Sequence, residues 1–382
     1  MIVFGAGAVG EVTLLAARKL GLPVECIADD RVKEFLLGTP IVHTDCLDCD
    51  AGTEFYLTSP NIEDMILRLR ELRITNWRSC GEIIRKVDIS ALDMGGCSYP
   101  VDHMKYLVRT ALHHHDNYLH PERLTVQSVD LIVTERCSMK CRDCSNLMQY
   151  YEAPENADLN ETLQSIDDLA ARMDEIYEVR VIGGEPFMNR DWHIIVEKLT
   201  QEPKIQKVSI FTNATIVPRE NQWASLEHDK VRLFITDYDA LSRNIRPLVA
   251  ALEERKIAYV SEKANDWTDC ASLQKHGRTV AENESLWTAC CAKNLATLAD
   301  GKLYRCPFSA NAFKLGAVPD YKDDYLVVGE SNRPQIERFL RAKTYIETCD
   351  HCTGRSYGAP LITPAVQAAK PLTYHKYRQH GA

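Results

Sequence analysis

The 382-residue sequence has no apolar run of about 18 residues, no internal repeat, no low-complexity tract and no excess of basic charge. The missing apolar run leaves no expectation of a membrane-spanning helix. The opening MIVFGAGAVGEVTLLAARKLG is apolar, but it lacks a basic lead, carries Glu11 and is broken early by glycine, so it does not read as a secretory signal. A formal net charge of −9 argues against nucleic acid and anionic membrane as partners; the acidic excess reads as solvated surface. A cytoplasmic location is the expectation.

What is present is an ordinary globular composition, 45% hydrophobic and 26% charged, in a chain long enough for two or three domains. Fourteen cysteines stand out. In a reducing compartment, clustered cysteines point to metal ligands or catalytic groups rather than disulfides.

The chain opens as a strand at 2–4, a glycine turn, a helix at about 9–20 and a strand at about 23–28 that ends in Asp29-Asp30, the start of a βαβ unit. Residues 39–43 extend that sheet. Residues 91–125, with Gly95-Gly96, Pro100, three successive histidines and Pro121 in and around them, read as a helical connector. From about 126 the pattern alternates regularly. Strand candidates at 126–134, 178–182, 206–212, 231–236 and 257–261 are separated by helix candidates at 160–176, 190–200, 219–227 and 241–254. This alternation predicts a parallel β/α barrel or part of one. Beyond about 266 the sequence is rich in cysteine and turns, and it ends in a weakly basic tail with Lys370, Lys376 and Arg378. The expected class is α/β, with domains at 1–90, 91–125, 126–265 and 266–382.

The strand at 126–134 runs into ERCSMKCRDCSN, which places Cys137, Cys141 and Cys144 on the loop after a strand's carboxyl end, where β/α barrels carry their sites. Three thiolates at spacings of four and three can hold three irons of a cubane and leave a fourth open. A structural zinc site is the alternative, although it would want a fourth ligand nearby. One β/α unit later come Gly183, Gly184, Glu185 and Pro186. Two glycines let backbone approach a ligand closely, and Glu185 can accept hydrogen bonds from an ammonium.

On these motifs the segment from about 126 to 262 resembles the radical S-adenosylmethionine (SAM) superfamily. The resemblance implies that Cys137, Cys141 and Cys144 hold a [4Fe–4S] cluster whose open iron is chelated by SAM, with Gly183, Gly184, Glu185 and Pro186 contacting SAM. It implies reductive cleavage of SAM to a 5′-deoxyadenosyl radical that takes hydrogen from the substrate. An electron donor such as flavodoxin or ferredoxin goes with that chemistry. The sequence departs from the family's frequent aromatic before the third cysteine, since Asp143 stands there. Thr212-Asn213 and Thr236-Asp237, at later strand ends, are further candidate SAM contacts, Asn213 and Thr236 foremost.

A second cysteine set follows: Cys290, Cys291, Cys306, Cys349 and Cys352. LATLADGKLYRCP reads as a hairpin turning at Asp300-Gly301, which would bring two cysteine-bearing ends together. Two such cysteines plus CxxC also describe a zinc ribbon. The pattern resembles the twitch domain, the short relative of the SPASM extension of radical SAM enzymes, and implies a second [4Fe–4S] cluster held by four thiolates. Either Cys290 or Cys291 fits as the first.

Gly5, Gly7 and Gly10 follow a strand and open a helix, with Asp30 twenty residues beyond Gly10, the setting of a dinucleotide fingerprint. This Rossmann-like stretch also resembles small sugar-nucleotide or NAD-type modules of bacterial glycan assembly, which implies NAD or a nucleotide sugar as ligand. His113, His114 and His115 point to different helix faces and read as structural, as do Cys46 and Cys49 despite their redox-motif spacing. Cys26, Cys80, Cys97 and Cys270 are isolated and read as small core residues.

The expected protein is a Rossmann-like domain, a partial (β/α)6 radical SAM barrel and a small cysteine-rich twitch domain. Its expected reaction is hydrogen abstraction from a carbohydrate or sugar nucleotide, ending in a two-electron oxidation. Tyr238 and Cys270 are the candidate catalytic side chains, and a hydrogen atom returned by Cys270 would make the enzyme an epimerase. The alternatives are a peptide-modifying maturase and a zinc-stabilised nucleotide-binding protein without catalysis.

Overall fold

The computed structural model describes residues 1–30, 34–48, 50, 52–355, 359–369 and 371–377. The chain divides into two compact units, Met1–Arg123 and Leu124–Ala382.

In the first unit the elements run β1 (Ile2–Phe4), α1 (Ala8–Lys19), β2 (Cys26–Ala28), β3 (Phe35–Leu36), β4 (Thr39–Val42), β5 (Phe55–Leu57), α2 (Ile62–Glu71), β6 (Trp77–Ser79), α3 (Gly81–Ile84) and α4 (Val101–Leu119). They form a mixed sheet in the order β3-β4-β2-β1-β5-β6, parallel except for the β3–β4 hairpin. The stretch read as a connector supplies α4, whose Met104, Val108 and Ala111 form an apolar stripe against Val9 and Val12 of α1. That helix is core of the first unit rather than a tether.

In the second unit β7 (Thr125–Thr134), α5 (Leu159–Arg172), β8 (Glu175–Gly183), α6 (Trp192–Gln201), β9 (Ile205–Thr212), β10 (Val231–Asp237), α7 (Ile245–Glu254) and β11 (Tyr259–Lys263) alternate as expected. Strands β7 to β11 pair in sequence, all parallel. One face of the sheet, with Val179, Val208, Ile210 and Leu233, is buried against Trp192, Ile195 and Leu248 of the helices, while Arg180, Ile182 and Phe211 on these strands are only partly buried and line a cavity. The helix expected at 219–227 is instead a 3-10 run, Glu220–Leu226. Its i→i+3 bonds align Trp223 and Leu226 on one edge, and both are buried.

The chain continues through β12 (Trp267–Thr268), α8 (Val280–Thr288), β13 (Ala296–Ala299), β14 (Lys302–Tyr304), α9 (Pro307–Lys314), β15 (Tyr325–Val327), α10 (Arg333–Arg341) and β16 (Leu361–Ile362). The hairpin β13–β14 turns at Asp300 and Gly301, whose φ values of 45° and 68° suit a two-residue turn of the primed type. Strand β13 pairs parallel with β7. The sheet order is therefore β11-β10-β9-β8-β7-β13-β14-β15. Five β/α strands follow one another, and the sixth parallel strand comes from the cysteine-rich region and lies between β7 and β14, not after β11. Among the described residues no helix is long and apolar enough to cross a membrane.

Candidate functional site

Cys137, Cys141 and Cys144 lie on the loop that leaves β7, and the GGEP turn leaves the adjacent strand β8. The two loops are bonded to each other. Gly184 N–H donates to Thr134 O (2.9 Å) and Glu185 N–H to Arg136 O (2.8 Å). A Cβ on Gly183 would lie 2.1 Å from Thr134 O, and one on Gly184 would lie 2.2 Å from Arg136 O. Gly183 also has φ +149°, a left-handed value. The sequence suggests glycines that admit a ligand; the geometry shows glycines that let the turn touch the cysteine loop.

Glu185 is 0% exposed. Its carboxylate accepts from Asn213 N–H (2.8 Å), Thr212 Oγ1 (2.9 Å) and Phe187 N–H (3.3 Å). Burial pushes its pKa up to about 7, against the pull of those three donors. Thr212 and Asn213 end β9, so three strand ends converge here. Asn213 Nδ2 also points at Cys137 Sγ, 3.6 Å away.

The three cysteines, Gly183, Gly184, Thr212 and Asn213 line a cavity of about 370 Å³, whereas Glu185 and Pro186, expected as SAM contacts, are buried and not part of its lining. Its lining also includes Thr236, Asp130, Arg180 and Arg355, and Tyr238 and Trp267, edge to face at 6.0 Å, pack in one cluster with the three cysteines. Asp130 and Arg180 are opposite one another in the β7–β8 register and joined by a 2.6 Å bond from Arg180 Nε.

The cysteine thiols are buried, which raises Cys137 and Cys144 and lifts Cys141 to about 11. Such thiols become thiolates when a metal displaces their protons. Among the described residues no group of three or more His, Cys, Asp or Glu converges on a single-ion site. Tetrahedral zinc with Zn–S of about 2.3 Å wants sulfurs roughly 3.8 Å apart. Three soft donors around an open cavity fit the face of an iron–sulfur cubane, with one iron left to the cavity.

The second set gathers around Cys306, at the start of α9, where its Sγ accepts from Ser309 N–H at 3.4 Å. The charge of Cys306 is felt by Cys290, Cys349 and Cys352, and burial puts Cys349 at about 12 and Cys352 at about 11. Cys291 differs from Cys290. The hydrogen bond between the two thiols lowers Cys291 and raises Cys290, and Arg355 and Arg180 lower Cys291 further. The charge of Cys306 acts on Cys290 and that of the two arginines on Cys291, and Cys291 is the more exposed of the pair. Arg355 links the two sets: Nη2 donates to Ser145 O (2.6 Å), beside Cys144, and its carbonyl accepts from Cys291 N–H (3.1 Å). Its buried Nε has no partner among the described residues.

Residues 131–256 match the Radical SAM superfamily. That span, about a third of the chain, is similar to radical SAM domains. The GTP 3′,8-cyclases of Staphylococcus aureus strains JH9 and Newman are each 28% identical over 103 residues, 25% of this chain and 30% of theirs. The chain thus spans under a third of the length of these curated relatives. Among solved structures, BtrN in complex with AdoMet and 2-DOIA is 15% identical, covers 60% of this chain and 93% of BtrN, and has a TM-score of 0.40. Streptococcus suis SuiB bound to S-adenosylmethionine is 11% identical, with 64% and 71% covered and a TM-score of 0.30. The superfamily implies SAM and a [4Fe–4S] cluster for the radical SAM domain.

Other singled-out residues fall as follows. Tyr238 lines the cavity, and burial together with the nearby thiols of Cys141, Cys144 and Cys137 raises its hydroxyl. Cys270 is buried but is not part of the cavity wall. Gly5 and Gly10 serve packing, because a Cβ on Gly10 would lie 2.0 Å from Gly5 O. Gly7 precedes α1 as its cap. The Asp29 carboxylate already accepts from Ala6 N–H at 2.7 Å. Asp30 turns to Thr44, and lies 3.6 Å from Arg68 and 3.7 Å from His43. His115 bonds Ser79 Oγ (2.7 Å) and Ser59 O (2.8 Å), a satisfied core histidine. Cys80 is sealed in the core, Cys46 is exposed, and Cys49 lies outside the described residues.

Asp130, Arg180 and Arg355 had gone unnoticed in the sequence. Two carried a readable signal: opposite charges in the middle of neighbouring apolar strands need each other.

Proposed function

We propose that this chain is a radical SAM enzyme that abstracts hydrogen from a small polar substrate of the carbohydrate or sugar-nucleotide class and oxidises it, as in alcohol to ketone. The cavity carries the reading: its lining joins the three cysteines to Asp130, Arg180 and Arg355, and Arg355 also feels the charge of Cys291, Cys306 and Cys352 of the second set. Bound there, the cluster and SAM would supply the hydrogen-abstracting radical. Cys137, Cys141 and Cys144 would hold that cluster, and Glu185, Gly183, Gly184, Pro186, Asn213 and Thr236 would receive SAM. Arg355 and Arg180 donate to substrate oxygens, and Asp130, whose buried carboxyl has a raised pKa, can take the proton of a hydroxyl. Cys290, Cys306, Cys349 and Cys352 would hold an auxiliary [4Fe–4S] cluster with no open position, suited to accept the second electron. Cys291, the more exposed neighbour of Cys290, would stay outside that set.

In the first unit, the order β4-β2-β1-β5-β6 supports a Rossmann-like reading, with the glycine loop at the switch point between β1 and β5. No nucleotide is assigned there, since Asp29 fills an amide that a phosphate would use.

The test is anaerobic incubation of reconstituted protein with SAM, reductant and a panel of nucleotide sugars. 5′-Deoxyadenosine should rise only with the true substrate, together with a product two hydrogens lighter. Turnover driven by peptides alone would refute the substrate class. A Cys141→Ala protein that still cleaves SAM reductively would refute the site.

A further inference from the structure

The cysteine loop is covered by a segment from far along the chain. Residues 365–368 lie antiparallel to 140–142: Arg142 N–H donates to Val366 O (2.7 Å), Ala368 N–H donates to Lys140 O (2.6 Å), and Cys141 stands opposite Gln367. The Gln367 carboxamide folds back onto the loop. Its Oε1 accepts from Lys140 N–H (2.8 Å), and its Nε2 donates to Ala365 O (2.7 Å) and faces Cys141 Sγ at 3.4 Å.

Two backbone groups fix which end of the amide is which. The Lys140 N–H can only donate, so it requires the oxygen. The Ala365 carbonyl can only accept, so it requires the nitrogen. The group presented to Cys141 must then be the second N–H, whichever charge the sulfur carries. A donor pointed at a sulfur that is only 9% exposed favours thiolate over thiol.

We propose that Gln367 is a positioning residue that donates an N–H···S hydrogen bond to the Cys141 thiolate and raises the reduction potential of the cluster that thiolate holds. The inference rests on the reading of Cys141 as a cluster ligand. Reduction adds electron density to the cluster and its sulfurs, so a donor at sulfur stabilises the reduced form more than the oxidised one. The donor is supplied by the C-terminal segment, so the docking of residues 365–368 and the ease of reducing the cluster are coupled.

The experiment is a redox titration, followed by electron paramagnetic resonance, of full-length reconstituted protein, using the signal that changes when SAM is added. Gln367→Met keeps length and loses the donor. Its reduction equilibrium should be about tenfold less favourable, or about 59 mV lower for one electron. Gln367→Glu puts an oxygen toward the sulfur and should lie lower still. Iron content and hydrogen-exchange protection of the Arg142 amide, which bonds Val366 and not the glutamine side chain, should match wild type. An unchanged potential in Gln367→Met overturns the inference. So does loss of iron in that variant, which would make the side chain a structural clamp. If Cys141→Ala retains a full cluster with an unchanged SAM response, the ligand reading itself has failed, an outcome distinct from either.

Discussion

Gly184→Ala should dismantle the junction between the GGEP turn and the cysteine loop. The added Cβ would sit 2.2 Å from Arg136 O, 2.6 Å from Arg136 C and 2.8 Å from Cys137 Cβ. Ordinary contact needs about 3.5 Å, so one of the loops must retreat by roughly 1 Å. Every clashing atom is backbone or Cβ, and no rotamer change can make room. Overpacking of this kind costs about 1–3 kcal/mol, and its relief by separation would forfeit the Gly184–Thr134 and Glu185–Arg136 hydrogen bonds at about 1 kcal/mol each. We expect a loss of about 3 kcal/mol in the second unit. Tryptophan fluorescence in a urea titration reads it directly, since Trp192, Trp223, Trp267 and Trp287 all lie in that unit. The variant should also take up less iron on reconstitution, because Cys137 is displaced. Gly52→Ala, with nothing within 4 Å of its added Cβ, is the control and should stay within about 0.5 kcal/mol of wild type. A Gly184→Ala protein with wild-type midpoint and iron content would refute the claim that these loops are held by backbone contact.

Glu185→Gln sets an amide NH2 against a donor that the carboxylate now accepts, so SAM should bind about tenfold or more weakly, measured by equilibrium dialysis. The wild-type carboxyl also makes stability depend on pH: its folded pKa of about 7 lies above the unfolded 4.5, so the folded state holds the proton more tightly and stability is lost as pH rises from 4.5 to 7. The loss is about 3 kcal/mol in the cluster-free protein, and the urea midpoint of Glu185→Gln should show no such slope. Cys290→Ala should lose the auxiliary cluster, whereas Cys291→Ala should keep it; iron counts on the two variants decide, and the opposite pattern would reverse the assignment.

The five parallel strands and both cysteine sets were legible because their signals are local. Apolar stretches such as VDLIVT and VRLFIT alternate with amphipathic helices, and CxxxCxxC and GGEP fall at strand ends where β/α chemistry is placed. The position of β13 was not legible. Nothing in ATLA says that it will pair with β7 and not follow β11, because strand neighbours are chosen by tertiary packing. The reason for the two glycines was hidden for the same cause: their demand comes from Thr134 and Arg136, which lie about fifty residues away. Arg355 and Gln367 belong to no motif at all, and their roles depend on a chain segment returning to the cysteine loop.

That return makes the two cysteine sets parts of one rigid arrangement. Strand β13 shares the sheet with β7, so the hairpin that leads to Cys306 is hydrogen-bonded to the strand that leads to Cys137. Lys314 of α9 ties the same two regions a second time, reaching Glu135 at 2.7 Å and Asp300 at 2.9 Å from a largely buried site. Tyr151 hydroxyl donates to Asn311 of α9 at 2.8 Å, a third tie. Arg355 closes the gap between Ser145 and Cys291. With so many fixed links, the separation of the sets is set by the fold and not by a loose linker.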